Sequence, residues 1–91
     1  MYQIEFTNQF KKQYKKAIKK GKNISLLPPI FQLLIENKPL SKKNKTHKLE
    51  GIYSGYWECH IQPDWLLIWD KNDSEKIISL KALGSHAELF G

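Results

Sequence analysis

Three histidines and one aspartate are the residues of this chain best suited to acid–base chemistry. They are His47, His60, Asp64 and His86. Imidazole has an ordinary pKa of about 6.5, so a histidine can both accept and release a proton near neutral pH. The spacing alone is a weak signal, because a single histidine or a turn aspartate in a small domain is most often a surface residue.

The same side chains have rival uses. Gaps of 13 and 26 residues separate successive histidines, which form no local chelate such as the i, i+4 pair of a zinc helix. The one cysteine, Cys59, falls on the apolar side of a strand pattern, and no serine lies in a nucleophile-elbow motif. The pattern therefore favours acid–base catalysis over a metal site or a covalent nucleophile.

Three strands are predicted to position these residues. Residues 56–61 alternate with period two, which places Cys59 with the core residues and His60 on the opposite side. Residues 62–64 have turn chemistry, the apolar run 65–69 predicts a strand covered on both faces, and residues 76–83 predict the last strand, ended by Gly84. The histidines would then lie near strand ends at one edge.

The N-terminal half predicts one strand and two helices. Residues 2–6 alternate as a strand, and the apolar spacing of Phe10, Tyr14, Ala17 and Ile18 predicts a helix that ends at Gly21. A second helix is predicted from near Ser25 to about residue 36, with two prolines in its first turn. The order β-α-α-β-β-β predicts a single α+β domain over residues 1–91, with two helices on one face of a small, mostly antiparallel sheet and the other face left open.

Charge is divided unequally along the chain. The net charge is +6, but residues 1–48 hold twelve lysines and two acids, whereas residues 49–91 hold three lysines and seven acids. The basic half, including the exposed loop 38–48, favours a polyanionic partner such as RNA, although lysine on a solvated surface can serve solubility alone. All fifteen basic residues are lysine, which limits recognition that depends on the guanidinium fork.

Composition favours a globular protein of a reducing cytoplasm. A single cysteine forms no internal disulfide, and the longest apolar run, residues 65–69, is far shorter than the roughly 20 residues of a membrane span. We therefore expect a cytoplasmic location and no membrane partner.

Three segments together resemble the YafQ-type toxins of the RelE superfamily. They are residues 47–51 (HKLEG), 58–68 (ECHIQPDWLLI) and 84–91 (GSHAELFG). The resemblance covers almost the whole chain. It implies a RelE-like fold and a ribosome-dependent mRNA interferase of a bacterial type II toxin–antitoxin system. The implied partners are a cognate antitoxin, the ribosome and mRNA, with operator DNA reached only through the antitoxin.

The resemblance also implies a metal-independent endoribonuclease without a cofactor, which cleaves mRNA in the ribosomal A site. The ribose 2′-hydroxyl attacks the adjacent phosphorus and leaves a 2′,3′-cyclic phosphate and a 5′-hydroxyl. We expect Asp64 or His60 to help remove the 2′-hydroxyl proton, His86 to protonate the leaving 5′-oxygen and His47 to steady the phosphate. Two aromatic residues, Trp65 and Phe90, match active-site positions and could stack bases, although each could instead simply pack.

One position departs from the family pattern. Four residues before His86 these toxins usually carry an arginine that would stabilise the phosphorane, and here the residue is Ala82. The neighbouring Lys81 is a candidate for substrate binding, although strict strand alternation directs it to the other face. Weakened catalysis, compensation by a lysine and a deliberate inactivating change are all open. A non-catalytic module that binds antitoxin or RNA in operon autoregulation is the alternative function.

Overall fold

The computed structural model describes residues 1–91 and contains five strands and three α-helices. The strands are β1 (Gln3–Phe6), β2 (His47–Lys48), β3 (Trp57–Gln62), β4 (Trp65–Asn72) and β5 (Ile77–Gly84). The helices are α1 (Asn8–Lys19), α2 (Leu27–Ile35) and α3 (His86–Phe90), and single 3-10 turns cover Ile24–Leu26, Lys42–Asn44 and Gly51–Tyr53. No helix is long and apolar enough to cross a membrane.

The five strands form one sheet in the order β1-β5-β4-β3-β2. Strand β1 is parallel to β5, and the other neighbouring pairs are antiparallel. The predicted α+β class and mostly antiparallel sheet are confirmed. The sequence did not predict β2 or α3, because a two-residue strand and a five-residue helix have too few residues for a periodic pattern and depend on tertiary contacts.

The first two helices cover one face of the sheet as their apolar spacing predicts. The Thr7 hydroxyl accepts a hydrogen bond from the Phe10 amide and caps α1, whose Phe10 and Ala17 are buried. Ile18 is 49% exposed, so the prediction that it joins the core was wrong. It lies on the flank of the helix, where the sheet does not reach.

Strand β4 separates two apolar clusters by strict alternation. Trp65, Leu67 and Trp69 face the helices in the larger cluster. Leu66 and Ile68 face the other side, where they join Ala82 of β5 and Leu89 of α3. The expectation of an open second face was therefore only partly correct, because α3 and the segment before β3 cover part of it. We call this second side the α3 face.

A β-bulge in β5 decides which side chains reach the α3 face. Ile68 is paired with Ala82, but Trp69 is paired with Leu80, so Lys81 is the extra residue. Leu80 and Ala82 consequently belong to opposite clusters although they are two residues apart. The Nζ atom of Lys81 lies 5.6 Å from the ring centroid of Tyr56, which packs against the α3-face cluster. The expectation that alternation turns Lys81 to the other face was wrong, because the bulge resets the alternation.

Candidate active site

The structure brings all three histidines to one edge of the α3 face. His47 comes from β2, His60 from β3 and His86 from the first position of α3. The ring centroids of His47 and His60 are 6.3 Å apart, and those of His60 and His86 are 5.6 Å apart. The His47 and His86 side chains are about half exposed, whereas that of His60 is 17% exposed. The edge is therefore open to a ligand, with His60 at its centre.

Asp64 holds His86 in place. Its Oδ1 atom accepts hydrogen bonds from the backbone amide of His86 at 3.0 Å and pairs with the ring Nδ1 at 2.8 Å. These bonds, the backbone bond first, lower the pKa of Asp64 below its ordinary value. The pairing occupies Nδ1 of the imidazole and leaves Nε2 directed away from this carboxylate. Asp64 is therefore a poor proton acceptor and a good orienting group.

Helix α3, which carries His86, is fixed at its N-terminus by a capping box. The Ser85 hydroxyl accepts from the Glu88 amide at 3.1 Å, and the Glu88 carboxylate accepts from the Ser85 amide at 2.8 Å. Lys20, the C-cap of α1, and Lys16 within α1 also pair with Glu88, at 2.6 and 3.1 Å. The bond from Lys20, followed by those from Ser85 and Lys16, lowers the pKa of Glu88. A Cβ on Gly84 would meet side-chain atoms of Glu88 and Leu89 at 3.1–3.3 Å, so a larger residue there would require these side chains to shift by a few tenths of an ångström.

Glu58 is a member of the site that sequence reasoning missed. It is 3% exposed, and its Oε1 atom lies 3.2 Å from Nε2 of His47 and 3.6 Å from Nε2 of His60. Its Oε2 atom is buried without a hydrogen-bond partner. A buried carboxylate is favourable only beside compensating positive charge or donors, so Glu58 stabilises positive charge that develops on either neighbouring imidazole. The sequence contained one signal for Glu58. It lies two residues before His60, so strand alternation places both side chains on the same side of β3.

Groups of the basic loop and of the turn after β3 contact the first two histidines. The Lys45 carbonyl lies 2.7 Å from Nδ1 of His47, and the left-handed backbone of Lys45, with φ of 49°, turns the chain toward β2. Both ring nitrogens of His47 therefore face acceptors, the Lys45 carbonyl and the Glu58 carboxylate. The buried side chain of Asn44 donates to the His60 carbonyl at 2.8 Å, and Nδ1 of His60 faces the Pro63 carbonyl at 3.3 Å.

The aromatic candidates are placed differently from each other. Phe90 is 42% exposed, and its ring centroid is 6.2 Å from that of His86. Trp65 is 2% exposed within the larger cluster, with Nζ of Lys22 5.8 Å from its ring centroid. Base stacking on Trp65 does not fit this structure, because alternation along β4 directs the ring into the core. Ala82 is fully buried in the α3-face cluster and contributes no polar group to the site.

The geometry supports proton transfer more directly than the rival chemistries. No three His, Cys, Asp or Glu side chains are grouped closely enough to hold a metal ion. Burial raises the pKa of the Cys59 thiol to about 12, which makes it a poor nucleophile. Two imidazoles, each beside its own carboxylate, instead form an arrangement in which one ring can accept a proton and the other can donate one.

Comparison with known proteins agrees with the fold and with the family resemblance. Residues 2–91 match the family model described as the bacterial toxin of type II toxin–antitoxin system, YafQ. The mRNA interferase toxin YafQ of Escherichia coli K12 is 39% identical over 89 residues, which cover 97% of this chain and 95% of that protein.

Two solved structures are similar over nearly their whole length. YafQ in the E. coli DinJ–YafQ complex superposes with a TM-score of 0.90 at 38% identity, over 100% of both chains. A metal-bound toxin from Helicobacter pylori superposes with a TM-score of 0.92 at 38% identity, over 99% of this chain and 100% of the other. The chain belongs to the YafQ family of bacterial toxins of type II toxin–antitoxin systems.

Proposed function

We propose that this protein is an endoribonuclease toxin that cleaves mRNA in the A site of the ribosome and is held inactive by a cognate antitoxin. The observation that carries the proposal is the His60–His86 pair, with ring centroids 5.6 Å apart and a carboxylate beside each ring. The E. coli relative is named an mRNA interferase. Inhibition of translation would follow from loss of the mRNA.

In the proposed reaction, His60 is the general base. When its Nδ1–H donates to the Pro63 carbonyl, the lone pair on Nε2 is available to accept the 2′-hydroxyl proton. Glu58, 3.6 Å from that nitrogen, stabilises the imidazolium that forms. The 2′-oxygen then bonds to the adjacent phosphorus. Asp64 is less suited to this role because its pKa is lowered.

The leaving group receives its proton from His86. Its Nδ1 is paired with Asp64, so a proton on Nε2 can pass to the 5′-oxygen as the P–O5′ bond breaks. The products are a 2′,3′-cyclic phosphate and a 5′-hydroxyl. His47, whose ring centroid is 6.3 Å from that of His60, would steady the non-bridging oxygens of the phosphate. Each acid–base group is worth about 10²–10⁴ in rate.

The test is primer extension on mRNA translated in a reconstituted system, with and without the protein. We expect cuts in register with codons only when ribosomes translate, and 5′-hydroxyl ends that polynucleotide kinase labels without prior phosphatase treatment. His60→Ala and His86→Ala should remove the cuts while the melting temperature is retained. Absence of cuts with the wild-type protein would refute the proposal and favour a non-catalytic module.

Metal involvement is tested in the same assay, because an H. pylori relative is known in a metal-bound form. In our proposal the protein's own side chains move both protons. The protein is therefore treated with EDTA and desalted before it is added to the ribosomes, and cleavage should persist. Loss of cleavage that added copper or zinc restores would favour a metal-dependent reaction.

The proposed antitoxin partner fits the outer surface of α1. Phe6 and Ile18 are 47% and 49% exposed beside a groove rimmed by lysines. The groove is lined by Phe6, Phe10, Lys11, Tyr14, Lys15, Ile18 and Phe31. An apolar floor with a basic rim fits an amphipathic segment with acidic flanks. Ile18→Glu should abolish inhibition by the antitoxin while RNA cleavage is retained, and inhibition equal to wild type would refute this surface.

A further inference from the structure

A chain of aromatic rings continues across the α3 face beyond the histidines. The ring centroid of Phe90 is 6.2 Å from that of His86 and 5.5 Å from that of Tyr53, and the Tyr53 and Tyr56 centroids are 6.3 Å apart. Nζ of Lys81 lies 5.6 Å from the Tyr56 centroid at the far end. We call Phe90, Tyr53 and Tyr56 the aromatic strip. The strip runs from the imidazole of His86 at one end to the ammonium of Lys81 at the other.

The aromatic strip is exposed to solvent, and the β-bulge in β5 places the Lys81 cation beside it. Tyr53, Tyr56 and Lys81 are each partly exposed, and Phe90 is 42% exposed. The three central strands contain only two lysines. One of them, Lys71, bonds to Asn37 beyond α2 and lies on the helix side. Only the bulge in β5 puts the second, Lys81, beside Tyr56.

We propose that the aromatic strip and Lys81 form a binding site for the single-stranded nucleotides next to the bond that is cleaved. Bases would stack on the exposed ring faces, and the Lys81 ammonium would bind a backbone phosphate. Exposed aromatic rings beside a cation are the usual platform for single-stranded RNA, because every base has a π-face and every link carries a negative charge. The site rests on the proposed function, since it places the neighbouring ribose at the imidazoles.

The test measures binding separately from cleavage. A short single-stranded RNA with 2′-O-methyl ribose throughout cannot be cut, and its dissociation constant is measured as a function of salt concentration. Lys81→Ala should weaken binding and reduce the slope of log affinity against log salt by about 0.7, as expected for one lost phosphate contact. Lys81→Arg should retain the slope. Tyr56→Ala should weaken binding about 5- to 150-fold.

Lys76→Ala is the matched control. This lysine also lies over a tyrosine ring, 5.1 Å from the Tyr2 centroid, but it precedes the opposite end of β5. It should leave affinity and slope at wild-type values. If Lys76→Ala and Lys81→Ala weaken RNA binding equally, the binding reflects general electrostatic attraction, and the proposed site is refuted. Failure of the wild-type protein to bind the RNA would also overturn it.

The two proposals can fail independently. If the wild-type protein cleaves mRNA on ribosomes and Lys81→Ala and Tyr56→Ala bind and cleave as well as wild type, the strip is refuted and the nuclease stands. If the wild-type protein does not cleave but its RNA binding depends on Lys81 and Tyr56, the nuclease is refuted and the binding site stands. Thermal melts of all variants separate either outcome from unfolding. The lysine variants should melt at the wild-type temperature, and Tyr56→Ala, which loses a ring packed against the α3-face cluster, should melt lower but remain folded at the assay temperature.

Discussion

Replacing Glu58 with glutamine tests whether a buried negative charge supports catalysis by the imidazoles beside it. Glutamine has nearly the same shape as glutamate, so Glu58→Gln removes the charge and leaves the packing in place. The carboxylate oxygen is 3.2 Å from Nε2 of His47 and 3.6 Å from Nε2 of His60. We expect a folded variant that cleaves RNA more slowly, because the imidazolium that forms in the reaction loses its counter-charge.

The size of the effect follows from Coulomb's law. At the 3.2 Å separation from His47, two unit charges attract by about 1 kcal/mol in water-like surroundings and by about 5 kcal/mol at an effective dielectric constant near 20. The His47 side chain is 48% exposed, so solvent screening favours the lower value, whereas His60 at 17% is screened less. A loss of about 1–3 kcal/mol corresponds to roughly 5- to 150-fold slower cleavage.

Stability should change little in the same variant. Oε2 of Glu58 is buried without a hydrogen-bond partner, so the substitution removes a desolvation cost together with a favourable attraction. Replacing buried charge by a neutral group of similar volume is often close to neutral, and we expect less than about 1 kcal/mol of change in the free energy of unfolding.

The assay is single-turnover cleavage of mRNA bound to a programmed ribosome, followed with thermal melts of the same preparations. Glu36→Gln is the control, because Glu36 is paired with Lys38 at 3.0 Å at the end of α2, away from the histidines. Cleavage by Glu58→Gln at the wild-type rate would refute the electrostatic reasoning. A fall in activity matched by a fall in melting temperature would instead make Glu58 a structural residue.

Three further predictions concern Ala82, Cys59 and Asp64. Ala82 is fully buried, so Ala82→Arg should cost roughly 1–3 kcal/mol of stability and lower the melting temperature by about 4–8 °C per kcal/mol, and an unchanged melt would contradict this. The Cys59 thiol, with its pKa raised to about 12, should resist iodoacetamide near pH 8 until urea unfolds the chain. The lowered pKa of Asp64 predicts stability that is fully present above a pH of about 4 and lost as the pH falls through the lowered pKa. Wild type and Asp64→Asn should therefore converge in stability in acid, and a constant difference would contradict the pairing with His86.

Much of the fold could be predicted from the sequence because the main helices and strands have strong periodic patterns of apolar residues. Alternation along residues 57–61 correctly placed Cys59 in the core, and the helical spacing of Phe10 and Ala17 correctly predicted the buried side of α1. Failures occurred where local patterns carry no information. Ile18 fits the helical period, but whether its flank is covered depends on how far the sheet extends.

Only part of the candidate site could be predicted from the sequence, for a similar reason. The types and spacing of the residues indicated which side chains could exchange protons, and parity directed His60 away from the core. The hydrogen-bond partners that orient the histidine rings could not be predicted from the sequence. Asp64 and His86 are 22 residues apart in sequence, yet they share a hydrogen bond because the turn after β3 and the start of α3 meet at one edge.

The sequence by itself determined which side chains of this protein could exchange protons, the order of its main helices and strands, and its family. The tertiary structure alone decided that Glu58 lies between two imidazoles and that Lys81 lies on the α3 face. Pairing of β2 with β3 sets His47 opposite Glu58, and the inserted residue in β5 decides the side on which Lys81 lies. A single unpaired residue reverses the alternation of every side chain after it, and pairing with β4, which no local pattern specifies, determines where that residue falls.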